Sequence, residues 1–146
     1  MISFSLNNKE AQRVLSNIKN GFSDFKEPLR KVKGMQLKEI DGQYKSEGKK
    51  ITAKWKPLKP STIKDRLAKG FPAGPILTRS GKMKRNTKQK KLTKNKLEIG
   101  NDTKYFQFHQ LGTRKIPQRQ VHGHSDKMIK KVTDIVADHI IKKAKY

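Results

Sequence analysis

The apolar positions recur most regularly at the C-terminal end. Met128, Ile129, Val132, Ile135, Val136, Ile140 and Ile141 follow at three- and four-residue spacing, the stripe of an amphipathic helix. Ser125 offers an N-cap hydroxyl and Asp126 an anionic first turn, while Lys142, Lys143 and Lys145 suit the negative end of the helix dipole. At the other end, residues 2–6 (Ile-Ser-Phe-Ser-Leu) alternate as a half-buried strand does. Asn7 or Asn8 then caps a helix carrying Ala11, Val14, Leu15 and Ile18, with Gly21 as its stop. A second helical stripe joins Phe22, Phe25, Leu29, Val32, Leu37, Ile40 and Tyr44. Because Pro28 belongs in a first turn, this helix is expected to start near Glu27, with Asp24 close to its positive end. Gly34, Gly42 and Gly48 weaken it, so it should fray before Gly48.

Breakers dominate the middle of the chain. Residues 55–60 (Trp-Lys-Pro-Leu-Lys-Pro) are extended, since a residue before proline is pushed out of the helical region. Ser61 or Thr62 is the expected cap of a short helix with Ile63 and Leu67 as its apolar pair, closed by Gly70. Residues 70–81 read as an ordered loop. Leu92, Leu97 and Ile99 carry a weak two-residue period around Asn95, which predicts a β-hairpin turning there with a projecting basic arm. An aromatic, apolar stretch at residues 105–111 precedes a loop at 112–120. The length suits one domain: residues 1–48 with the first strand and helices, 49–124 with the loops and hairpin, and 125–146 with the last helix.

Composition changes this picture in one respect. Lys and Arg number 36 against 12 Asp and Glu, a net charge of +24, and only 32% of residues are hydrophobic. Such a chain has little core with which to offset its self-repulsion, so a polyanionic partner or self-association is expected. Eight cations cluster in the arm: Lys82, Lys84, Arg85, Lys88, Lys90, Lys91, Lys94 and Lys96. With no aromatic residue among them and Lys outnumbering Arg, they favour diffuse attraction over base stacking or bidentate readout.

Chemistry is sparse. There is no Cys, which excludes disulfides and thiolate metal sites. His122 and His124 flank Gly123 near Asp126, but no second cluster completes a ligand set. His139 beside Asp134 or Asp138 reads as ordinary surface charge. No nucleophile elbow, phosphate-binding loop or paired acidic metal motif occurs. No catalysis, metal, cofactor or small-molecule substrate is therefore expected. No apolar run reaches a membrane span of roughly 20 residues, and residues 1–9 lack a secretory pattern, so cytoplasmic assembly is expected.

Five segments, taken in order, carry a resemblance. They are Trp55-Lys56-Pro57-Leu58 through Thr62-Ile63; Pro75-Ile76-Leu77-Thr78-Arg79-Ser80-Gly81-Lys82-Met83; Leu97-Glu98-Ile99-Gly100; Tyr105-Phe106-Gln107-Phe108-His109-Gln110-Leu111-Gly112; and Ile116-Pro117-Gln118-Arg119 before a terminal helix. In content and spacing the chain resembles the phage virion morphogenesis family, which includes tail completion proteins, over roughly residues 50–125. The continuation Gln120-Val121-His122-Gly123 departs from that family's pattern, with Gln in a proline position. The resemblance implies an α+β fold, a small antiparallel sheet with helices on one side. It also implies a structural role in the virion: completing or capping the tail and preparing head–tail joining, as a ring. Partners would be further copies of the chain, tail tube, connector or neck proteins, and DNA in the channel. The motif residues to which it points are Trp55, Pro57, Leu58, Pro75, Leu77, Gly81, Tyr105, His109, Gly112, Pro117 and Arg119. A basic nucleic-acid-binding protein is the alternative that charge alone suggests.

Overall fold

A computed structural model describes residues 9–145; the strand expected at residues 2–6 and the Asn7 or Asn8 cap lie outside them. The chain order is α1 (Lys9–Ser23), α2 (Lys26–Lys45), α3 (Pro60–Ala68), α4 (Lys82–Arg85), β1 (Thr87–Leu92), β2 (Leu97–Asn101), α5 (Phe106–Leu111) and α6 (Asp126–Ala144). The fold is α+β. Helix α2 is its hub: α6 and both hairpin strands pack on it, and α1 packs on α6.

Local chemistry explains most boundaries. Asp24 Oδ1 accepts from Lys26 N at 2.9 Å where α2 begins. The Ser125 hydroxyl accepts from Met128 N at 3.2 Å and caps α6 as its position predicts. Two expectations fail. Gly21 does not end α1, which continues to Ser23, because packing on α6 outweighs the roughly 1 kcal/mol propensity cost of an internal glycine. Neither Ser61 nor Thr62 caps α3. Lys59 is extended (φ −67°, ψ 147°) and Pro60 takes the first helical position, where its fixed φ and missing N–H cost nothing.

The core contains Ile40, Tyr44, Trp55, Ile76, Met83 and Val121, with Leu58, Leu77, Ile99 and Phe106 packed around it. Tyr44 and Trp55 meet edge to face, centroids 6.1 Å apart. Gly48 makes room for this pair. Its φ is +104°, and a Cβ there would lie 2.5 Å from the Ala53 carbonyl oxygen and 2.6 Å from Trp55 Cδ1.

Polar side chains on the inner face of α2 grip a second chain segment. Gln36, Glu39 and Gln43 are buried. Gln43 donates to Gln120 O at 2.8 Å and accepts from Ile51 N at 2.8 Å. Gln36 donates to Gly123 O at 2.9 Å, and Glu39 accepts from the Ser125 hydroxyl. Gln110 completes the clasp, accepting from Val121 N and His122 N, each at 2.9 Å. Residues 119–123 thus run through the middle of the molecule, and Val121 has no exposed surface. Backbone groups in such a position need partners, and three glutamines supply them.

On α6, Met128 is buried and Val132, Ile135, Val136 and Ile140 are half-buried, whereas Ile129 and Ile141 face outward at 53% and 52% exposure. The predicted face is therefore narrower than the sequence suggests.

Candidate functional site

Two regions concentrate positive charge, and they differ in construction. The first is the hairpin. Strands β1 and β2 are antiparallel, with Leu92 opposite Leu97 closing a loop that contains Asn95 and Lys90 as the extra residue of a bulge. The expected projecting arm is corrected here. Residues 82–85 form α4 rather than strand, β1 and β2 lie on α2, and the loop is clasped through Phe25 N donating to Lys94 O at 2.6 Å. Several of its cations have local partners. Lys84 pairs with Asp41 at 2.7 Å, Lys88 and Lys90 with Asp102, and Lys96 with Glu98 at 2.5 Å. The lysines hold the Asp41 and Glu98 carboxyls below their ordinary pKa range, through hydrogen bonds to Lys45 and Lys84 in one case and Lys96 in the other. Lys82, Arg85, Lys91 and Lys94 form no ion pair among the described residues.

The second region is a groove of about 890 Å³ between the 56–59 strip, α3, the 77–83 loop and the 105–119 segment. Pro57, Leu58, Leu77, Gly81, Tyr105, His109, Pro117 and Arg119 all line it. Trp55, Pro75 and Gly112, the other three motif residues, brace its walls. Trp55 Nε1 donates to Gln120 O at 3.1 Å. The Pro75 carbonyl, after a cis peptide bond, accepts from Arg66 Nη1 at 3.0 Å. Gly112 has φ +76°, and a Cβ there would sit 3.0 Å from Gln118 N, so glycine permits the return of the chain at this wall.

Arg119 ties two motif segments together. Its Nε and Nη2 donate to Lys56 O at 3.0 and 2.8 Å, Nη2 reaches Pro57 O at 3.2 Å, and its own amide donates to His109 O at 2.7 Å. Beyond Gly112, Thr113 N donates to Ile116 O at 2.8 Å, forming a tight turn that carries Arg114 and Lys115 along the rim. Leu77 holds φ +61°, a conformation that costs a non-glycine residue of order 1 kcal/mol and that packing of its side chain against the core offsets.

The electrostatics of this groove are one-sided. Lys56, Lys59, Arg66, Arg79, Lys82, Arg114, Lys115 and Arg119 line it, and among the described residues no Asp or Glu does. Arg66 and Arg119 are 5% and 6% exposed and bond to backbone carbonyls rather than carboxylates. Burial lowers both guanidinium pKa values, and a neighbouring cation adds to it: Arg79 for Arg66, and Arg66 for Arg119. Both nevertheless stay charged. Arg79 stacks over Phe71, 4.5 Å from the ring centroid, and lies 3.5 Å from Asp65. Burial, with the Arg119 charge second, also lowers the pKa of His109 and favours its neutral form at pH 7.

The remaining histidines are dispersed. His122 packs tilted on Phe106 at 4.6 Å, and burial lowers its pKa. His124 Nδ1 contacts Gln36 Oε1 at 2.9 Å. His139 packs on Phe25 and contacts Asp24 O at 2.9 Å, with no bond to Asp134 or Asp138. Among the described residues no group of three or more His, Asp or Glu could hold a metal ion, and no helix is long and apolar enough to cross a membrane.

Sequence reasoning missed Arg66. The expected apolar pair of α3 was Ile63 and Leu67, yet Leu67 is 58% exposed and Arg66 turns inward. Ile63 and Arg66 share a face at i, i+3, the one signal that could have pointed to it.

The architecture is thus that of a small α+β protein whose separately spaced motif segments build one preformed cationic groove. The model of the phage virion morphogenesis family matches residues 6–141, and the chain belongs to that family. Among curated proteins and among solved structures, none matches it. Family membership gives the chain a role in phage virion assembly.

Proposed function

We propose that the chain is a structural, non-catalytic component of the tail end or neck of the virion, which completes or caps the tail and prepares its joining to the head. The observation that carries this reading is the convergence of eight motif residues on one concave surface in a member of a virion morphogenesis family. A preformed groove suits docking, because little has to be ordered when a partner arrives. Tail tube, connector or neck proteins are the partners it would meet.

A ring of identical copies fits this place, and exposed apolar side chains support self-association. Phe108 and Leu111 on α5 are 43% and 73% exposed, and Leu15 and Phe22 on α1 are 65% and 59% exposed. Light scattering at low and physiological salt should detect oligomers or a particle-bound state; a stable monomer with no affinity for tail components counts against the ring. Lys91 and Lys94, exposed on the hairpin and without ion pairs among the described residues, offer a secondary, diffuse attraction to DNA passing the junction. Each phosphate they neutralise on duplex DNA should contribute a log–log salt slope of about −0.9.

A phage deprived of this chain tests the main reading. Heads and tails should accumulate unjoined, and added purified protein should restore joining. Normal joined particles in its absence contradict the proposal.

A further inference from the structure

We infer that the groove receives an extended acidic segment of a different virion protein, with carboxylates seated on Arg66 and Arg119 and apolar side chains on its floor. This rests on the assembly reading above and names the partner chemistry at the same site.

The charge argument comes first. An arginine residue that is about 95% buried normally finds a carboxylate, because carbonyl dipoles offset only part of the cost of taking a charge out of water. Arg66 and Arg119 have only carbonyl partners. Each also keeps donors in reserve: among the described residues Arg119 Nη1 and Arg66 Nε and Nη2 make no hydrogen bond. Two carboxylates would fill those donors with charge-assisted bonds and cancel the repulsion between the two guanidinium groups.

Shape then selects the class of anion. The groove lies within the size range of discrete ligand pockets, about 300–1,000 Å³. Duplex DNA presents phosphates on a convex surface and would meet the rim lysines while leaving recessed arginines unreached. An Asp or Glu side chain on an extended strand is thin enough to reach them. Leu58, Leu77 and Ile116 also line the groove, and they suit alternate apolar side chains of a peptide but have nothing to offer a phosphate ladder.

Charge complementarity also excludes a second copy as the occupant. The chain's only acidic residues at alternate positions, Glu39 and Asp41, are locked in helix α2 with Glu39 buried, and Asp41, Asp65, Glu98 and Asp102 are already paired with its own cations. Its net charge of +24 opposes insertion of one copy into another.

Fluorescence anisotropy on the full chain tests this with three labelled probes: a short peptide alternating Asp and Leu, its Asn-Leu counterpart, and a short DNA duplex. The Asp-Leu peptide should bind and the Asn-Leu peptide should not. Arg114→Gln with Lys115→Gln alters two exposed rim cations, so the fold should survive with an unchanged melting transition. Affinity should fall roughly tenfold, each of the two rim cations contributing a factor of about three. Lys88→Gln with Lys91→Gln on the hairpin should change it less than about twofold. Equal binding of both peptides, or greater loss from the hairpin pair, overturns the inference. Tighter DNA binding that the rim variant abolishes overturns it too and makes the groove a nucleic-acid site. If the rim variant blocks head–tail joining while the Asp-Leu peptide never binds, the acidic-segment inference falls and the assembly reading stands. If the peptide binds as expected but the rim variant joins normally, the site stands and its assembly role falls.

Discussion

The hairpin and the groove are both cationic, yet they hold their charge in opposite ways. On the hairpin and the α4 turn before it, Lys84, Lys88, Lys90 and Lys96 are 34–61% exposed at their side chains and pair with Asp41, Asp102 and Glu98. Such pairs gain little in water and are screened over about 8 Å at physiological salt. In the groove, Arg66 and Arg119 are almost fully buried, face no carboxylate and are fixed by carbonyl oxygens. Their field is less screened and their geometry is preset. The density of lysine in a sequence therefore does not show how firmly a charge is held: a few arginines, buried against carbonyls in a concave wall, are fixed far more rigidly.

The largest expected effect tests whether the groove is built on the core. Trp55 touches Tyr44, fills the space left by Gly48 and donates to Gln120 O. Trp55→Ala should cost about 3–5 kcal/mol in urea unfolding, with loss of the folded state the expected end in so small a core. An unchanged unfolding transition would detach the groove from the core.

Arg119→Gln sharpens the contrast itself. It removes bonds from a charged donor and leaves the carbonyls of Lys56 and Pro57 unpaired, a loss of about 2–3 kcal/mol. Equal costs for Arg119→Gln and Lys90→Gln would erase the distinction between buried and solvated charge.

Acid should act on the buried imidazoles, His109 in the groove wall and His122 in the interior, before it reaches the carboxylates paired with lysine. His109 and His122 have folded-state pKa values below the ordinary 6.5, chiefly from burial. The unfolded chain therefore binds protons first, and stability falls as pH drops below about 6.5, by up to about 1.4 kcal/mol per histidine per pH unit. The lysine-paired carboxylates, Asp41 on α2 and Glu98 on β2, are held below their ordinary range, so their contribution is lost only near pH 4 and below. Melting temperatures between pH 7.5 and 5 should decline, and His122→Gln should flatten the decline. A flat profile in the wild-type chain would show that neither imidazole resists protonation.

Smallest of all, Lys88→Gln should shift stability by less than about 0.5 kcal/mol, since its partner Asp102 is solvated and shared with Lys90. A shift above 1 kcal/mol in thermal unfolding would mean that the hairpin charges are more strongly coupled than their exposure allows.

Features set by local chemistry were legible in the sequence. The Ser125 cap, the extent of α2 and the hairpin turn around Asn95 depend on neighbouring residues alone. Motif spacing identified residues of the groove but not their meeting. That meeting depends on Arg119 reaching back 63 positions to Lys56 and on Gln43 reaching 77 positions to Gln120. An apolar-periodicity reading also discards polar residues from inner faces, so it passed over Gln36, Glu39, Gln43 and Arg66. The α3 cap was lost because Pro60 at the first helical position outcompeted Ser61 and Thr62.

Lysine-reactive labelling with mass spectrometric readout, compared between free protein and assembled particles, tests most directly whether the groove is the contact surface. Lys56, Lys59, Lys82 and Lys115 line the groove, while Lys88, Lys91 and Lys94 lie on the hairpin, so one experiment reads both regions. Groove lysines should become strongly protected on assembly, while hairpin lysines, which meet DNA only diffusely, keep most of their reactivity. Protection confined to the hairpin, with the groove lysines labelled as in the free chain, would contradict the account.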